Sequence, residues 1–344
     1  MAGVTLGQQS GLLGSAERLA TQVFVRAGVL PWFLIFSIII FTFATETFLT
    51  GQNFMLVARQ ATYLVMVAMG QMVVLLTAGL DLSVGVMFAI ASVVSSMVMV
   101  DVFNASGKEA VWGSIIAGCA AGMASGLLVG AINGIGVAFF RVPPFIMTLA
   151  MSTIVFGIAL TITGGTPIYG MPDEFASVFG YGSAIGVPVP IWITIGFVVL
   201  VYVLLSWTRT GRYFYALGGN LKASMLSGIS TRYYLFMAYV VCAAITTVAA
   251  LMLTARLESG ESNIGRDYPL NSIAACAIGG VSLFGGTGRL LNVVLGSIFI
   301  ILVQNGMNLM RIGSYQQMIV IGILLVLAVI ADNYRQKMLL TLKD

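Results

Sequence analysis

Few residues of this chain could do chemistry, and most of them are amides set inside apolar runs. Gln71, Asn133, Asn271, Gln304, Asn305 and Asn308 interrupt stretches that are otherwise largely hydrophobic. A side-chain amide both donates and accepts hydrogen bonds. In such a setting it either bonds to a neighbouring helix or lines a route for a polar solute. Gln304 and Asn308 are four apart and share one face of a helix. Asp81 has two readings. As an acid just before an apolar run it is an ordinary helix cap; as an ionisable residue beside a span it would couple transport to a proton or sodium ion. The chain has no histidine, which removes the usual general base and the commonest transition-metal ligand. Cys119, Cys242 and Cys276 all lie in apolar runs and read as small buried hydrophobes. No nucleophile with a base and no carboxylate pair occurs within the runs, so no catalytic residue and no metal site is expected. No G-x-x-x-x-G-K-[ST] segment occurs either, so this polypeptide has no phosphate loop with which to hydrolyse ATP.

The elements that must position these residues follow from composition. Of 344 residues, 59% are hydrophobic and only 8% are charged, where a soluble domain carries about a quarter charged. Spanning a membrane takes about 20 apolar residues as helix. Runs of this length without strand-like alternation argue against a barrel. Ten spans are expected, over roughly 30–49, 54–79, 82–100, 111–140, 144–164, 189–207, 233–255, 269–286, 290–310 and 314–331. The fold class is therefore all-α integral membrane protein. A segment over 1–28 precedes the membrane domain of 29–332, and a tail over 333–344 follows it. The first 28 residues lack the short apolar core of a cleavable signal peptide.

Placing the N-terminus in the cytoplasm puts 11 of the 16 basic residues inside and 8 of the 12 acids outside. That is the bias expected of an N-in, C-in protein. The basic residues are spread between apolar runs, so the net charge of +4 is no sign of nucleic-acid binding. Four of them, Arg209, Arg212, Lys222 and Arg232, lie in one polar segment, 208–232, that has no acid. It is either a loop merely retained on the cytoplasmic side or a docking loop for a soluble partner. Outside, 165–188 is rich in Gly and Pro, with a short helix expected near 173–178. The segment 256–268 mixes Arg256, Glu258, Glu261, Arg266 and Asp267. It is either a solvated loop or a contact surface whose charges would set register and on-rate with an extracytoplasmic partner.

Glycine shapes the interior. Gly118, Gly122, Gly126, Gly130 and Gly134 recur every four residues and give one helix a groove that a neighbour can enter. The run holding them spans about 45 Å as helix, so it must tilt, break or protrude. Gly279–Gly280 and Gly285–Gly286 allow a tight reversal or a broken helix.

Several motifs in sequence order carry a resemblance. They are Gly79-Leu80-Asp81-Leu82-Ser83-Val84-Gly85, Val142-Pro143-Pro144-Phe145-Ile146-Met147-Thr148-Leu149-Ala150, Gly211-Arg212 with Tyr215-Ala216-Leu217-Gly218-Gly219-Asn220, and Leu226-Ser227-Gly228-Ile229. The glycine pairs near 280 and 286 also fit. Over about residues 30–332 the chain resembles the permease subunit of bacterial ABC importers for monosaccharides of the ribose, xylose, arabinose and galactose type. Ala78 departs from the family, which often has a second glycine there.

The resemblance implies a half-transporter of the inner membrane. Two permease chains, identical or related, would form the path. Cytoplasmic ABC ATPases, carrying the ATP and magnesium, would drive it, and a periplasmic sugar-binding protein would deliver the solute. This chain would hold no cofactor, and membrane lipid would surround it. By carry-over, Arg212, Gly218, Gly219, Asn220, Lys222 and Ala223 would form the coupling surface, with Asn220 capping a short helix that starts near Leu221. Arg256, Glu258, Glu261, Arg266 and Asp267 would face the binding protein. Gln71, Asn133, Asn271, Gln304, Asn305 and Asn308 are the candidate lining. Related permeases carry nucleosides, polyols or amino acids, and an ion-coupled transporter is the reading from outside this class.

Overall fold

The helices of the chain are arranged around one of them. The computed structural model describes residues 30–107 and 110–341; residues 1–29, with the expected segment 1–28, and 108–109 and 342–344 lie outside the described residues. Helix α1 (Leu30–Ala44) leads to α2 (Gly51–Leu76), which is buried continuously from Ala61 to Leu76. After α2 come α3 (Val84–Ser106), α4 (Val111–Ala138), α5 (Pro144–Thr163) and α6 (Val189–Trp207). Then come α7 (Arg209–Gly219), α8 (Leu221–Leu226) and α9 (Thr231–Leu257). Last are α10 (Tyr268–Ile278), α11 (Leu290–Leu309) and α12 (Ser314–Thr341). Helices α6, α9, α10 and α11 all pack on α2. A helix enclosed on every side needs no polar stripe, which is why α2 shows little amphipathic pattern in its inner half.

Seven of the described helices, α2 to α6 with α9 and α11, are long and apolar enough to cross a membrane. Three shorter apolar stretches are Leu30–Ala44, Tyr268–Ile278 and Ser314–Leu327. The eighth expected span, 269–286, is the one that differs most. Its helix stops at Ile278, because Gly280 turns into the left-handed region at φ 75° and a loop follows, closed by the Ser282 N–H donating to the Thr287 carbonyl at 3.0 Å. Helix α10 is thus 11 residues, about 16 Å against a hydrocarbon core of about 30 Å.

The glycine row does what its spacing predicts. Helix α4 runs unbroken through 28 residues. A methyl group at Gly118 would lie 2.6 Å from the Ser95 carbonyl of α3, and one at Gly122 would lie 2.9 Å from the Ala91 carbonyl. Further along, Gly126, Gly130 and Gly134 meet Thr247, Ala243 and Phe236 of α9. The row rotates from one neighbour to the other as it descends, as a four-residue repeat must on a helix of 3.6 residues per turn. Close approach of helices without side chains between them is what the bilayer favours in place of hydrophobic burial.

The polar segment 208–232, expected as a loop, is mostly helical. The Thr208 hydroxyl accepts from the Gly211 N–H at 3.2 Å and caps α7. The Asn220 side chain accepts from the Ala223 N–H at 2.9 Å and caps α8. The segment 165–188 forms a short helical stretch over 173–180 and a hairpin pairing Ser183–Ala184 with Val187–Pro188. Helix α12 continues to Thr341, into the stretch expected as a tail.

Candidate functional site

The inner end is built from backbone contacts. On α7, Gly211, Phe214 and Leu217 are buried, and Arg212 is exposed. Gly218 sits directly on the Leu76 carbonyl at the end of α2 and on the backbone of Gly285 and Gly286, leaving no room for a side chain. The same carbonyl accepts from the Gly286 N–H at 3.0 Å. Gly285 and Gly286 hold φ values of 92° and 75°, which favour glycine. The Tyr215 hydroxyl donates to the Gly288 carbonyl at 3.0 Å, and burial raises its pKa above the ordinary tyrosine value. Three parts of the chain, the end of α2, the α7–α8 corner and the 279–289 loop, therefore meet at one point. Beyond that point α8 projects, with Leu221, Met225 and Leu226 at 50%, 59% and 76% exposure beside exposed Lys222 and Ala223. Nothing lies within 4 Å of a Cβ added at Gly219.

Above this junction lies a buried polar network. Asp81 accepts from the Ser83 N–H at 2.8 Å and from the Ser83 hydroxyl at 2.6 Å. Asn133 donates to the same Ser83 hydroxyl at 2.7 Å. With its amide turned to satisfy both ends, Gln71 donates to the Asp81 carbonyl at 3.0 Å and accepts from the Asp81 N–H at 3.2 Å. From α5, Thr148 and Ser152 donate to the carbonyls of Leu80 and Leu82 at 3.3 and 3.0 Å. Asp81 caps by holding the turn before α3; the residue at the cap itself is Ser83, whose side chain makes no capping bond. Asn305 sits elsewhere, in a reciprocal pair with Asn53: each amide donates to the other, at 2.9 and 3.0 Å. Gln71, Asn133 and Asn305 are thus inside helix packing. Asn271, Gln304 and Asn308, by contrast, line one cavity.

The outer half is governed by residues 258–267. Near its start Gly260 pairs with Ile168 through two backbone hydrogen bonds of 2.8 and 2.9 Å, and it packs on Ser96 of α3. The Glu261 N–H donates to the Ser92 hydroxyl at 3.1 Å, and that hydroxyl also accepts from Thr254 at 2.8 Å. Gly265 then meets Gly85, where a methyl group would lie 2.7 Å from its carbonyl. From Ser96 to Gly85 is eleven residues of α3, a descent of about 16 Å. The stretch expected as a surface loop therefore runs down into the helices, and α10 starts at its lower end. Glu258 lies at the top, exposed; Arg266 and Asp267 lie at the bottom, both exposed.

That descent separates two cavities. One, of about 610 Å³, has Arg266, Ser262 and Asn263 on one wall and Ser152, Thr153 and Phe156 of α5 on another. The other, of about 550 Å³, lies among α2, α9, α10, α11 and α12. Its polar lining includes Gln60, Tyr63, Arg256, Asp267 and Gln317 as well as the three amides. Arg256 also stands 5.5 Å over the Tyr181 ring, and the Tyr181 hydroxyl donates to the Arg256 carbonyl at 2.9 Å. Sequence reading missed Gln60, Tyr63 and Gln317. The available signal was their polarity near span ends, which is common to all span ends. Among the described residues no group of three or more Cys, Asp or Glu could hold a metal ion.

The sequence profile of the family described as the permease component of the branched-chain amino acid transport system matches residues 53–329. The chain belongs to that permease family. The permease is 36% identical over 307 residues to the ribose import permease protein RbsC of Escherichia coli K12, covering 88% of this chain and 92% of that one. It is 33% identical over 308 residues to the D-allose transport system permease protein AlsC of the same strain, covering 89% and 91%. To the L-arabinose transport system permease protein AraH of that strain it is 35% identical over 272 residues, covering 79% and 80%. No solved structure matches the permease. Family and helices together make it a multi-pass inner-membrane transport protein of the permease type.

Proposed function

We propose that the permease is the membrane subunit of an ATP-driven importer for a monosaccharide, working as a pair of permease chains, identical or related. ATP and magnesium belong to a partner ATPase, and a periplasmic binding protein delivers the solute. The observation that carries this reading is the inner junction. Helix α8 presents an apolar patch beyond the helices, and Gly218 couples it by direct backbone contact to the central helix α2 and to the 279–289 loop that precedes α11. Packed interiors transmit displacement because they have no slack. A partner that grips Leu221, Met225 and Leu226 therefore moves α2 and the loop together. Arg212, Gly219, Asn220, Lys222 and Ala223 surround that grip, and Asn220 keeps α8 helical through its cap.

The substrate class rests on the relatives, which are named for ribose, allose and arabinose. A hydroxyl-rich solute needs paired donors and acceptors, and Asn271, Gln304 and Asn308 supply them on one cavity wall. Glu258 and Glu261, near the upper end of the 258–267 descent, are the acids of the binding-protein face. The test is reconstitution of the permease with its ATPase and binding protein in liposomes. Uptake of ribose, allose or arabinose that requires ATP supports the reading. Solute movement by the permease alone, without ATP, overturns it.

A further inference from the structure

Two of the charged residues assigned by sequence to the binding-protein face, Arg256 and Asp267, share the 550 Å³ cavity with the amides. The cavity falls within the range of about 300–1,000 Å³ usual for small-molecule sites. Tyr63 lines it at 3% exposure, and its hydroxyl has no hydrogen-bond partner among the described residues. The Arg256 Nη1 atom is likewise buried and without a partner among them. Arg59 Nε, Asp81 Oδ2, Ser96 Oγ and Asn133 Oδ1 are unpaired too, outside this cavity; a buried polar atom left unpaired is costly, and here two of them belong to residues that line one cavity.

We propose that this cavity is a site within a single protomer for one neutral, hydroxyl-rich solute, held by Tyr63, Arg256, Asp267, Asn271, Gln304 and Asn308. The inference rests on the sugar-import reading and adds where the solute pauses and what holds it. The charges choose the ligand class. An anion would be drawn by Arg256 and repelled by Asp267; a cation meets the reverse. A polyol suits both, since each hydroxyl can accept from the guanidinium or the phenol and donate to the carboxylate or an amide oxygen. Charged groups at this depth call for a watered or paired environment in place of lipid.

The wall is preorganised. Asn308 is fixed by accepting from Gln317 at 2.6 Å, the Tyr268 ring is stacked on Phe88 with centroids 4.5 Å apart, and Arg256 is held by Tyr181. Tyr181 belongs to the 165–188 segment, so one aromatic contact joins the outer surface to the site.

The experiment uses the complete importer in liposomes, with D-ribose, D-allose and L-arabinose as probes. Tyr63→Phe removes only a hydroxyl that has no partner, so it keeps the packing. Gln304→Leu keeps the volume. Assembly of each complex is checked by gel filtration. The expected result is that each variant moves about 3- to 10-fold less sugar per ATP hydrolysed, the weight of one neutral hydrogen bond, and that the double variant moves still less. A double variant that moves as much sugar per ATP as the wild type overturns the site but leaves the sugar-import reading standing. A wild-type complex that hydrolyses ATP and moves none of the three sugars overturns both.

Discussion

The two ends of the permease are built on opposite principles. At the inner end, Gly218, Gly285 and Gly286 bring backbones together until no side chain fits, and every polar group named at the junction is paired. In the outer half, the 258–267 descent leaves cavities on both sides, and buried donors on Tyr63 and Arg256 have no partner among the described residues. On the proposed reading the first arrangement transmits displacement and the second holds ligand. Neighbouring residues on α11 repeat the contrast in miniature: Asn305 is locked to Asn53, while Gln304 faces the cavity.

The strongest way to break the comparison is Gly218→Val. Its side chain would overlap the Leu76 carbonyl, and backbone there cannot yield without shifting α2. Uptake should be abolished while membrane content, followed by immunoblot, persists. Full uptake would mean that the junction has slack and does not couple. Next is Asn305→Leu, which takes the donor from the buried Asn53 Oδ1 and leaves its amide nitrogen only the Phe48 carbonyl, at 2.9 Å. It should destabilise the protein by about 1–3 kcal/mol, read as a lower melting temperature in detergent, and Asn53→Leu added to it should restore most of the loss. Gln304→Leu, one residue away, should lower transport and leave melting within about 0.5 kcal/mol of wild type. Equal melting losses at 304 and 305 would erase the distinction between packing amide and lining amide.

Asn220→Ala removes the α8 cap at a cost of about 1 kcal/mol, so uptake should fall several-fold at unchanged expression. Gly219→Ala should have the smallest effect of the series, less than about twofold, because open space surrounds its Cβ position and alanine favours helix. Sequence reasoning treated Gly218 and Gly219 alike; only the packing separates them.

What the sequence made legible was local. The cap at Asn220 with a helix from Leu221, the glycine row of α4 and the break near Gly279 all follow from short-range rules on caps, close approach and glycine conformation. The helix Arg209–Gly219 was not legible as such, because three buried residues, Gly211, Phe214 and Leu217, hold it in place and its basic residues read as loop. The descent of 258–267 was hidden for a related reason. Charged and small residues look the same in a solvated loop and in a segment that enters among helices along Ser92, Phe88 and Gly85. The six amides could not be sorted either. Whether an amide is paired depends on a partner 252 positions away, as for Asn53 and Asn305, and no periodicity encodes that.

The most direct measurement of the central claim is co-purification in mild detergent of the wild-type permease and of Leu226→Asp, which places a charge at the most exposed apolar position of α8. The coupling account predicts that a P-loop ATPase comes down with the wild type and is lost, or reduced to a small fraction, with Leu226→Asp while the permease itself remains monodisperse. An ATPase recovered in equal amount with both chains would contradict it and would place the docking surface elsewhere on the inner face.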